Sequence, residues 1–122
     1  MQASNIQEIT VENGYMKVAL DASVRRGEGI SFFSRLNATA HEEGLRHIMV
    51  DARGLGCTNS PGTQFQFANT HMRKINFDRR LKLGVWIEKL DPEYEFFELT
   101  FSNAGYQFKV FTEEKDLLNW FG

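Results

Sequence analysis

The chain predicts an α/β fold: an opening β-hairpin, then three βα units, making a mixed sheet of about five strands with parallel C-terminal strands and about four helices. Three observations predict it. Asn13-Gly14 sits between two runs of alternating apolar residues, the strongest two-residue hairpin signal. Short apolar runs at 46–51, 81–87 and 106–111 then alternate with segments whose apolar residues recur at three- and four-residue steps. The connections are too long for hairpins, so these strands are expected to run parallel, joined by right-handed crossovers.

Within residues 6–21, Ile9 and Val11 alternate before the turn, and Met16, Val18 and Leu20 after it. Residues 23–29 form a polar connection containing Arg25 and Arg26. From Gly29 to Glu43, Ile30, Phe33, Leu36 and Ala40 share a helical face, and Gly44 stops the helix. The strand Arg46–Asp51 leads into the loop 53–63. Ser60 as N-cap and Pro61 at the first helical position open a helix whose inner face is Phe65, Ala68, Met72 and Ile75, closed by Asn76 and Asp78. In Leu81–Ile87, Leu83, Val85 and Ile87 lie on one side and Trp86 on the other, which predicts a strand covered on both faces. Asp91-Pro92 repeats the cap-plus-proline start, before a helix lined by Phe97, Phe101 and Ala104 that ends at Gly105. Tyr106–Phe111 is the last strand, and Thr112 is expected to cap a terminal helix carrying Leu117, Leu118 and Phe121, with Glu113 and Glu114 in its first turn. The expected core is Val18, Leu36, Val50, Phe65, Met72, Val85, Phe97, Phe101, Phe108, Val110 and Leu117.

At 122 residues the chain is expected to form one domain, residues 1–122. Its 42% hydrophobic and 25% charged residues suit a globular protein, and a net charge of −2 gives no electrostatic reason to expect a nucleic-acid partner. A single cysteine, Cys57, excludes an internal disulfide and fits a reducing compartment. No signal-like N-terminus or membrane-spanning apolar run is present, so the expectation is a cytoplasmic protein without membrane insertion. Eleven phenylalanines supply large buried area, or the lining of a pocket.

The candidate site is the loop 53–63. Loops at the carboxyl ends of parallel strands are the usual binding edge, and a helix N-terminus there offers free N–H groups to an anion or a partner's carboxylate. Arg53, Thr58, Asn59, Ser60 and Thr63, with Arg25 and Arg26 on the connection at the same edge, are the binding candidates. The plainer reading is that Asn59 and Ser60 only cap the helix. Cys57 precedes the helix, yet His41, His47 and His71 fall on elements away from that edge, so no nucleophile–base–orienter set assembles and no enzyme is expected. The histidines and the cysteine lack metal-ligand spacing, so neither metal nor cofactor is expected. Arg73, Lys74, Arg79, Arg80 and Lys82 cluster at a helix C-terminus, and acidic residues gather at helix starts, both complementing helix dipoles. Phe32, Phe96, Leu99 and Trp120 lie off the apolar faces, as candidates for a pocket or a homodimer patch.

The element order, together with residues 103–112 and Leu117-Leu118-Asn119-Trp120-Phe121, resembles the STAS domain, and more closely the small bacterial STAS-like (SpoIIAA-like) proteins. Those commonly end in a Val-Phe strand, an acidic helix start and a Trp-Leu pair, where this chain has Trp120-Phe121. In the related anti-sigma-factor antagonists, Asp-Ser-Ser-Gly opens a helix after a strand, and a partner kinase phosphorylates the second serine. Asn59-Ser60-Pro61-Gly62 aligns with that motif, which puts Pro61, without a hydroxyl, at the phosphoacceptor position. The resemblance implies a non-enzymatic regulatory or protein-interaction module with protein partners, lacking the usual phosphoserine switch. The alternative is a small-ligand or lipid-binding protein with a phenylalanine-lined pocket for an anionic or apolar ligand, an analogy at the level of fold.

Overall fold

The computed structural model describes residues 6–12, 14–20, 29–53, 67–90 and 92–122. Strands β1 (Ile6–Glu12) and β2 (Tyr15–Leu20) form the antiparallel hairpin, with Glu12 paired to Tyr15. Gly14 takes φ 84, a left-handed conformation that glycine adopts without strain. The remaining strands are β3 (His47–Asp51), β4 (Lys82–Trp86) and β5 (Gln107–Phe111). They add to β2 in chain order and all run parallel, giving one five-stranded sheet ordered β1-β2-β3-β4-β5.

Helix α1 (Gly29–Glu43) joins β2 to β3, and Gly44 ends it at φ 68, where the Leu45 N–H donates back to the Ala40 carbonyl. The described part of the next crossover is a π-helical turn, Phe67–His71, running into the short α2 (Met72–Lys74). The spacing of Ala68 and Met72 predicts a regular α-helix here, whereas the structure widens that turn while keeping both side chains buried. Asn76 closes the segment in the left-handed region at φ 57. Helix α3 (Pro92–Asn103) begins at Pro92, as expected, and α4 (Glu114–Phe121) ends the chain.

A chain-ordered parallel sheet with right-handed crossovers sends every crossover helix to the same face. The packing follows. Met16, Val18, Ile48, Val50, Leu83, Val85 and Phe108 bury one sheet face in a single cluster with Phe33 and Leu36 of α1, Met72 of α2, and Tyr94 and Phe101 of α3. Its phenylalanines pack ring against ring: Phe101 lies 5.0 Å from Phe108 and 4.7 Å from Phe97, and Phe33 lies 5.8 Å from both Phe77 and Phe108. Among the described residues α4 alone covers the opposite face, where Met49, Leu117 and Phe121 are buried beside Tyr15, Trp86, Phe111, Leu118 and Trp120. Strand β4 is therefore covered on both faces, as its sequence predicts.

Three expectations need correction. Thr112 does not cap the terminal helix. Glu113 holds the N-cap position in extended conformation without a side-chain cap bond, because the helix starts where Leu117 and Phe121 can seat on the sheet. Phe97 and Val110 lie at the margin of the core and are only partly buried, being next to the edge strand β5. Of the off-face residues, Phe32 packs against the main core and Trp120 against the second cluster. Phe65 lies outside the described residues.

Candidate functional site

Parallel strands bring the ends of β2, β3 and β4 to one edge, and in-register pairing places Asp51, the last residue of β3, beside Trp86, the last residue of β4. Two residues past Asp51, Arg53 folds back over this pair. Its Nε and Nη2 each donate to Asp51, both at 2.9 Å, and its backbone N–H donates to Asp51 Oδ1 at 3.2 Å. The guanidinium carbon lies 3.6 Å from the centre of the Trp86 ring. A planar cation is thus held by a two-pronged carboxylate on its edge and an aromatic ring on its face, the geometry in which arginine outperforms lysine.

The electrostatics agree with the geometry. Hydrogen bonds from the Arg53 side chain hold the Asp51 carboxyl below its usual pKa against the opposing effect of burial, with further help from the Arg53 N–H and from Lys17. Asp51 raises the pKa of Arg53 in turn, and Glu114 and Glu88 add to that. Lys17 Nζ lies 3.8 Å from Glu114, which links β2 to the start of α4 at this edge. About half of the Arg53 side chain remains exposed.

Of the sequence-predicted site residues, the structure places Arg53 at the carboxyl edge. Arg25, Arg26, Thr58, Asn59, Ser60 and Thr63 lie outside the described residues, as do Cys57 and Pro61. Asp51 and Trp86 were not among the candidates. Their signal was the alignment of the runs 46–51 and 81–87, which puts an acid and an off-face aromatic side by side at two strand ends.

At the opposite edge Arg79 and Arg80, from the densest basic cluster, line a cleft of 330 Å³ with His41, Asn76, Phe77 and Asp78. Here Arg79, Arg80 and Lys82 already have structural work. Asp78 accepts from the Arg80 backbone and side chain at 2.9 to 3.0 Å and from His41 Nε2 at 3.0 Å, while its own N–H donates to Asn37 Oδ1. These bonds hold the Asp78 carboxyl far below the usual range, those from Arg80 first. Arg79 donates to the Ala104 carbonyl just beyond α3 and lies 4.4 Å from the Tyr106 ring centre. Lys82 donates to the Trp120 carbonyl in the last turn of α4. Two of these cations thus serve the carbonyl ends of helices, as the dipoles favour.

His47 stacks on Phe121 at 4.8 Å with the rings 16° from parallel. Among the described residues, no group of three histidines, cysteines or carboxylates could hold a metal ion. No described helix is long and apolar enough to cross a membrane. No family model matches this chain, and no curated protein matches it.

Proposed function

We propose that this protein is a non-enzymatic regulatory module of STAS-like fold that binds a protein partner through the carboxyl edge of its sheet. The observation that carries the reading is the arrangement of Arg53, Asp51 and Trp86. Arginine and tryptophan are the residues that most often anchor protein interfaces, and a site whose groups are set in place before binding loses little conformational freedom when a partner arrives. Arg53 is half exposed at the edge where ligands of parallel sheets bind, and two bonds and a ring fix its position. Because Pro61 has no hydroxyl, this module would work without phosphorylation at that position.

Affinity capture from the native extract tests the proposal, with wild-type protein and an Asp51→Lys variant of equal thermal stability as paired baits. A partner retained by the wild type and lost by the variant supports it. A partner held equally by both moves the binding surface away from this edge.

A further inference from the structure

We propose that Asp51 and Trp86 form a receptor for an arginine side chain that Arg53 fills from within the chain, and that a partner's arginine binds by displacing it. The inference rests on the carboxyl-edge reading and names the partner's recognition element.

The chain demonstrates the chemistry in its own geometry. A guanidinium is recognised when a carboxylate takes two of its N–H donors in one plane and an aromatic ring covers that plane. Asp51 and Trp86 do both, with donor distances of 2.9 Å and a ring distance of 3.6 Å. The two receptor groups stand on adjacent, hydrogen-bonded strands in direct register, so the sheet backbone fixes their spacing. The occupant is only two residues from Asp51 and half exposed, so rotating its side chain away uncovers the ring and the carboxylate. Withdrawal leaves the carboxylate oriented, because the Arg53 backbone N–H still donates to Oδ1. Lys17 also continues to favour its ionised form. The surroundings select a cation as well, since Glu88 and Glu114 lie close enough to act on Arg53. A lysine could use the charge alone, whereas an arginine uses charge, fork and ring together.

The cis occupant sets a threshold. Because Arg53 competes at the effective concentration of a neighbouring residue, a lone arginine in solution binds weakly, and a partner needs additional contacts along the edge.

Two tryptophans are present, so Trp120→Phe leaves Trp86 as the sole reporter. The probe is acetyl-glycyl-arginyl-glycine amide, with the lysyl twin as control, titrated against Trp86 fluorescence with and without Arg53→Ala. The expected result is arginine-peptide binding about tenfold tighter than lysine-peptide binding in the Arg53→Ala protein, with weaker binding when Arg53 is present. Adding Asp51→Asn should remove the preference. Equal binding of the two peptides, or a preference that survives Asp51→Asn, overturns the receptor. If the peptides fail while Asp51→Lys still releases the captured protein partner, the edge reading stands and the arginine receptor falls. If Asp51→Lys retains the partner, the edge reading falls first.

Discussion

His47 shows how one side chain ties pH to the docking of the last helix. Its ring is pressed against Phe121, and burial, then the charge of Lys82, lowers its pKa below the ordinary 6.5. A histidine depressed in the folded state takes up its proton more readily when unfolded. Its contribution to stability is therefore complete above its ordinary pKa and declines as pH falls through it. Denaturant midpoints should drop between about pH 7.5 and 5.5, and His47→Phe, which keeps the stack, should flatten that slope. The two aspartates act in a lower window. Asp51 and Asp78 are depressed by their arginine partners, so their contribution is present above the ordinary carboxylate pKa and is lost on further acidification. A midpoint that stays level across the histidine window would show that His47 is not under this constraint.

The elements were legible where local chemistry decides them and obscure where packing does. The stops at Gly44, Asn76 and Gly105 and the start at Pro92 could be read because backbone conformation restricts which residues fit there. The start of α4 could not, because its register depends on how its apolar residues seat on the sheet rather than on the Thr112 hydroxyl. Gly84 marks that seat. A Cβ added there would lie 2.7 Å from Leu117 Cγ, on a side chain that is fully buried and has little room to give. Gly84→Ala should cost roughly 1–3 kcal/mol in equilibrium unfolding. In a Leu117→Ala background the penalty should shrink, since the double mutant removes the collision. Additive costs would place the strain elsewhere. The arrangement of α3 against β5 was equally hidden in the sequence. Glu98 accepts the Val110 N–H at 2.9 Å and the Ser102 hydroxyl donates to the Phe108 carbonyl at 3.4 Å, so two residues one turn apart occupy backbone groups of an edge strand. Glu98→Ala should speed hydrogen exchange at the Val110 amide by about tenfold, and an unchanged rate would remove the side chain from that role.

At the scale of the molecule, the hairpin signal and three strand–helix alternations carried the architecture, and chain-ordered strands explain its asymmetry. Among the described residues, three crossover segments thicken one face while α4 alone covers the other. The candidate edge was legible as a place, because strand ends must point somewhere. Its chemistry was not, because the Asp51–Trp86 contact exists only through register. The same asymmetry bears on self-association. The homodimer expectation rested on four off-face residues, yet Phe32 and Trp120 are used inside the fold and Phe96 is partly buried. That leaves Leu99, 56% exposed, as the main apolar group of the set, with Val11 and Leu90 the other exposed large hydrophobic residues among the described ones. A stable two-fold interface needs about 800 Å² from each partner, and of those four off-face residues only Leu99 and part of Phe96 face outward. Sedimentation at micromolar concentration should therefore give a monomer of 14.1 kDa, for the wild type and for Leu99→Glu alike. A dimer that Leu99→Glu dissolves would instead establish the outer face of α3 as an interface. A dimer indifferent to that substitution would move the interface off α3.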